Sequence, residues 1–112
     1  MSSPQVRFKK AAKLADIREG EIYPVNVDGV DVILVRHEGG IAAYLDACPH
    51  EGFQLSFGSR EGEILICAKH LWEFDVRTGE HISRVRRPQH DLRKVPVRTT
   101  AGDVEVDVSA FA

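Results

Sequence analysis

The chain has two cysteines, and each stands in a short cluster with a histidine: Cys48-Pro49-His50 and Cys67-Ala68-Lys69-His70, separated by residues 51–66. No cysteine is left for any other purpose. Two thiolates and two imidazoles make a complete four-donor set for a metal centre, and such a set works only when its members meet in space. The fold must therefore bring two loops side by side, each giving one sulfur and one nitrogen.

When each loop supplies one Cys and one His, the donors match a [2Fe–2S] cluster of the Rieske type, with both cysteines on one iron and both histidines on the other. Cys48, His50, Cys67 and His70 are the expected ligands of one such cluster. Structural zinc accepts the same four side chains, but its knuckles usually separate two cysteines by two to four residues, and C-x-H is tighter than that. A cysteine nucleophile with a histidine base leaves the duplicated pairing unexplained. His37, His81 and His90 have no cysteine neighbour and are read as ordinary residues. Around the ligands, Pro49 stiffens the first loop, Trp72 is expected to pack beneath the second, and Gly52, Gly58 and Gly62 serve loop geometry. Glu51 and Lys69 adjoin ligands and either tune charge or face solvent.

Replacing two thiolates by neutral imidazoles makes the oxidised centre neutral, so an added electron is better tolerated. The potential rises from about −400 mV for all-thiolate plant-type centres to roughly −150 to +300 mV. An imidazole that binds iron through one nitrogen exposes the other, which makes His50 and His70 the expected exit for the electron and its contact with a partner.

A chain of 112 residues holds one compact domain, taken as residues 1–112. Apolar runs such as Val32-Ile33-Leu34-Val35 are too short to span a membrane. The start, Met1-Ser2-Ser3-Pro4-Gln5, lacks the apolar core of a secretory signal, so a cytoplasmic monomer is expected. The net charge of −2 hides a segregation. The stretch Arg84–Lys94 is basic, with Arg84, Arg86, Arg87, Arg93 and Lys94 against Asp91, whereas residues 15–80 are strongly acidic. Arg84–Arg87 is either a solvated rim or a docking patch for a partner. Nucleic acid is a poor match, because the aromatics are not interleaved with the basic residues.

Short apolar runs punctuated by Gly and Asp predict an all-β, antiparallel domain, a β-sandwich or small barrel. Strands are expected at Glu21–Val27, Val30–Arg36, Ile41–Leu45, Ile64–Cys67, Glu73–Val76, Leu92–Arg98 and 104–108. Hairpin turns fall at Asp28-Gly29 and Ala101-Gly102-Asp103. One helical turn is expected at 16–20, and Pro96 at an edge or bulge. A cluster-binding excursion, about residues 46–75, carries both ligand loops.

Cys48-Pro49-His50, Leu55-Ser56-x-Gly58 and Cys67-Ala68-Lys69-His70-Leu71-Trp72-Glu73-Phe74-Asp75, followed by Thr78-Gly79, resemble the Rieske-type ferredoxins over most of the chain. His-Leu-Trp-x-Phe is similar to the ferredoxin component of toluene, alkene and isoprene monooxygenases. Ferredoxins of ring-hydroxylating dioxygenases more often have a Gly one or two positions after the second histidine. The resemblance implies a soluble one-electron carrier, not an enzyme, that takes electrons from an NADH-dependent flavin/iron–sulfur reductase. It would pass them to a terminal oxygenase, a diiron hydroxylase, with a Rieske dioxygenase system as the alternative. It also implies a potential at the low end of the range. High-potential relatives brace their loops with a disulfide and donate hydroxyls to the cluster sulfurs, whereas this chain has no further cysteine and places Leu71-Trp72 after the second histidine.

Overall fold

The computed structural model describes residues 7–49, 52–68, 71–82 and 90–111. Among them are nine strands in three antiparallel three-stranded sheets, with two 3-10 turns, Leu14–Asp16 and Leu55–Phe57. None of their helices is long and apolar enough to cross a membrane.

The middle of the base is a meander. β2 (Tyr23–Val27), β3 (Val30–His37) and β4 (Gly40–Leu45) pair in the order β2-β3-β4. The β2–β3 turn works because Asp28 (φ +54°) and Gly29 (φ +84°) both take the left-handed conformation that a two-residue hairpin with right-handed strand twist requires. Asn26 fastens that turn, its amide donating to Asp31 Oδ1 at 2.8 Å and its oxygen accepting the Gly29 N–H. β3 is apolar without alternation for a physical reason. Val32 and Leu34 face one core, with Ile17, Ala43, Val104 and Val106. Ile33 and Val35 face a second core, with Tyr44, Leu55, Leu65 and Phe74. A strand covered on both faces has no wet side on which a polar residue would be favoured.

The second base sheet has the order β1-β9-β8, from β1 (Lys9–Lys13), β9 (Asp103–Val106) and β8 (Val97–Thr100). Val104 and Val106 point inward while Asp103 and Glu105 are half-buried, the expected period of two. β1 had no strand signature, being KKAAK with only Ala12 buried. It is a strand because β9 offers it an unpaired edge, and it follows that edge through a bulge between Lys10 and Ala12. The expected strand Leu92–Arg98 is shorter. Residues 92–96 run irregularly beside β4, with the Val95 N–H on the Ala43 carbonyl, and β8 begins at Val97. Pro96 has no N–H to extend a ladder. The helical turn falls at Leu14–Asp16, ahead of its expected place.

The third sheet, β5 (Ser59–Glu61), β6 (Ile64–Ile66) and β7 (Glu73–Asp75), is the excursion. It leaves the base after β4, and its strands are three residues each. Arg60 anchors it. With a side chain only 2% exposed, its guanidinium donates to the carbonyls of Gly62, Glu21 and Arg36 and to the Glu63 carboxylate.

Candidate metal centre

Each cysteine sits at the start of a tight loop, and the two loops share one hydrogen-bond frame. In the first, the Cys48 N–H donates to the Phe53 carbonyl (2.7 Å) and the Gly52 N–H to the Cys48 carbonyl (2.7 Å). In the second, the Cys67 N–H donates to the Trp72 carbonyl (2.8 Å) and the Leu71 N–H to the Cys67 carbonyl (2.9 Å). The same offsets, four and five residues on, recur in both. So does the left-handed backbone at the fourth position, φ +73° at Gly52 and φ +57° at Leu71. A C-x-H cluster and a C-x-x-H cluster thus fit one scaffold, with the histidine displaced by one residue.

Cys48 and Cys67 are 3% and 1% exposed, belong to the same core cluster, and neither forms a disulfide. Two buried thiols in one core cluster, presented by two matched loops, suit a resident group that takes sulfur ligands. His50 and His70, with Glu51 and Lys69, lie outside the described residues, as does the Arg84–Arg87 part of the basic stretch. Pro49 is half-buried beside Cys48.

The first loop is held closed and against β6 by contacts through Leu55-Ser56-x-Gly58, and β4 is tied to the turn after β7 by Tyr44. Asp46, 6% exposed, accepts the Ser56 N–H (2.8 Å), the Ser56 hydroxyl (2.7 Å) and the Gln54 amide (3.4 Å). Gly58 packs so closely on β6 that a Cβ there would run into the Ile66 carbonyl. That is the physical content of the glycine in Leu-Ser-x-Gly. The Tyr44 hydroxyl donates to the Val76 carbonyl at 2.8 Å, and burial, with the nearby Asp75 charge adding, pushes its pKa well above that of a free phenol. Asp75 closes the turn after β7. Hydrogen bonds from the Arg77 side chain, at 3.2 and 3.0 Å, hold its carboxyl below the usual range.

Trp72 is half-buried and packs against the core that holds both cysteines. Its ring lies 4.6 Å from that of His81 and 4.9 Å from that of His90, and Phe74 lies 5.5 Å from His81. His81 is 3% exposed, and its backbone N–H donates to Asp91 Oδ1 at 2.9 Å. These two histidines, ordinary in sequence, are packing partners of the tryptophan that follows the second loop. His37 only closes its own turn, Nδ1 accepting the Gly39 N–H.

Comparison with known proteins agrees with this construction. A model of the Rieske [2Fe–2S] domain matches residues 7–99. The ferredoxin component of the alkene monooxygenase system of Xanthobacter autotrophicus is 34% identical over 79 residues, 70% of this chain and 65% of that protein. The ferredoxin component of the naphthalene 1,2-dioxygenase system of Pseudomonas putida is 32% identical over 104 residues, 93% of this chain and 98% of that one. Among solved structures, the ferredoxin of carbazole 1,9a-dioxygenase from Nocardioides aromaticivorans superposes with a TM-score of 0.76 at 26% identity, covering 88% of this chain and 95% of that chain. Matched loops on two buried thiols, an all-β base and this similarity over most of its length lead to one assignment: the chain belongs to the Rieske [2Fe–2S] domain family, an electron-transfer protein whose cofactor is one such cluster.

Proposed function

We propose that this protein is the soluble ferredoxin of a multicomponent monooxygenase, carrying single electrons from an NADH-dependent flavin/iron–sulfur reductase to a diiron hydroxylase. Residues 1–112 act as one Rieske domain, a cytoplasmic monomer. Cys48 and Cys67 ligate the inner iron, and His50 and His70 the outer one. The observation that carries the assignment is the shared hydrogen-bond frame of the two loops, which ends on two buried thiols.

The cluster supplies a reversible one-electron couple. The chain's own residues do the rest. The paired Cys–carbonyl bonds fix each loop, so little rearrangement accompanies a change of charge. Burial of both sulfurs keeps water from the inner side. In this reading His50 and His70 are the exit for the electron and the contact with a partner.

The choice of a monooxygenase rests on His-Leu-Trp-x-Phe and on the alkene monooxygenase relative. A second reading, the ferredoxin of a ring-hydroxylating dioxygenase, is favoured by the length of the naphthalene dioxygenase match. Reconstitution separates them. Turnover with a diiron hydroxylase supports the first, and turnover with a dioxygenase oxygenase alone overturns it. An EPR signal of mixed N/S ligation after dithionite reduction is expected. A colourless, zinc-containing protein would refute electron transfer by either route.

A further inference from the structure

Asp46 is a buried carboxylate, 6% exposed. Its backbone N–H donates to the Asp31 carbonyl at 3.0 Å, which fastens it to the base sheet. Its carboxylate holds the far end of the first ligand loop through the Ser56 N–H at 2.8 Å, the Ser56 hydroxyl at 2.7 Å and the Gln54 amide at 3.4 Å. One side chain therefore closes the segment 46–56, within which Cys48 and His50 lie. A neutral amide could close the same loop without the desolvation cost of a buried charge. What the carboxylate adds is a negative charge. Its Cα is two residues from that of Cys48, at most about 7 Å along the chain.

We propose that Asp46 is a positioning residue with a redox consequence: it ties the first ligand loop shut, and its charge disfavours the extra electron and so keeps the potential low. The inference rests on the reading of Cys48 as an iron ligand. A negative charge close to a group that becomes more negative on reduction opposes that reduction, and low local polarizability strengthens the effect.

Two variants separate charge from geometry. Asp46→Asn keeps an oxygen for the Ser56 N–H and removes the charge; its amide nitrogen donates where the carboxylate accepted, so the Ser56 hydroxyl turns to accept and the Gln54 amide presents its oxygen. Ser56→Ala keeps the charge and removes one bond. In redox titration of the purified, cluster-loaded proteins, Asp46→Asn is expected to raise the equilibrium constant for one-electron reduction about three- to tenfold, or about 30 to 60 mV. Its visible spectrum should stay that of the wild type. Ser56→Ala is expected to leave the potential unmoved and to lose iron to a chelator severalfold faster. An unmoved or lowered potential in Asp46→Asn overturns the charge effect, as does an equal rise in Ser56→Ala. A Ser56→Ala protein that holds iron as long as the wild type overturns the positioning role. If Asp46→Asn does not load, Asp46→Glu decides: loading with a wild-type potential supports the proposal, and an empty protein overturns it. A wild-type protein without iron and acid-labile sulfide would instead sink the ligand reading itself.

Discussion

Leu71 occupies in the second loop the position that Gly52 holds in the first. Each donates its N–H to the carbonyl of the cysteine four residues earlier, and each has a positive φ, +57° and +73°. Glycine takes that conformation freely, whereas a side chain pays roughly 1–2 kcal/mol for it. The Leu71 side chain gains little in return, since it is 69% exposed. Leu71→Gly is therefore expected to be neutral or to stabilise by up to about 1 kcal/mol, the lost strain outweighing the added chain entropy. Gly52→Ala should destabilise by about 1–2 kcal/mol, although nothing lies within 4 Å of the added Cβ. Thermal melts of the cluster-loaded proteins check both signs, and equal effects at the two sites would contradict the shared frame.

Tyr44 links β4 to the turn after β7 through its bond to the Val76 carbonyl. Because its pKa is raised in the folded protein, the folded state retains the phenolic proton at a pH where the unfolded chain, near pKa 10, has released it. This contribution is complete below about pH 10 and shrinks as the pH rises, by about 1.4 kcal/mol per unit. Tyr44→Phe should cost about 1–3 kcal/mol at neutral pH, from the unpaired Val76 carbonyl. Urea unfolding at pH 8 and at pH 10.5–11 should show the gap between the two proteins narrowing. A constant gap would mean that the phenol is wetter than its burial implies.

Arg60 joins the excursion to the base through three carbonyls and one carboxylate. A lysine offers a point charge and no fork, so it cannot reach all four acceptors. Arg60→Lys is expected to lower stability by roughly 2–4 kcal/mol through the carbonyls left bare. Denaturant midpoints measure this, and a loss below about 0.5 kcal/mol would reduce Arg60 to an ordinary surface cation.

Removal of iron should act unevenly. Cys48 and Cys67 belong to the core shared with Ile33, Val35 and Phe74, while Val32 and Leu34 face the other core. In the apoprotein, hydrogen exchange is expected to speed up at the Gly52 and Leu71 amides and to stay slow at Val32–Val35. Loss of protection throughout β3 would show that the base does not stand without the cluster.

The fold class was legible in the chain because hairpin turns and period-two alternation are local signals, and the four candidate donors are named by their spacing alone. Cysteine and histidine at fixed spacing declare metal chemistry, and Asp28-Gly29 or the alternation of β9 declares a hairpin or a strand wherever it occurs. β1 was not legible, since Lys9–Lys13 becomes a strand only against the edge of β9. Pro96, expected at an edge or bulge, lies just before β8, the edge strand of its sheet, which begins at Val97.

The sequence by itself determined which donor types the chain has at fixed spacing and that an all-β base would carry their loops, since donor type and period-two patterning need no neighbours. Only the tertiary structure decided that Asp46 would close the first loop through Ser56, that His81 and His90 would pack on Trp72, and that a leucine would stand where a glycine is easier. Those are contacts between residues far apart in the chain or strains imposed by a closed frame. Neither exists until the loops have been folded against the base.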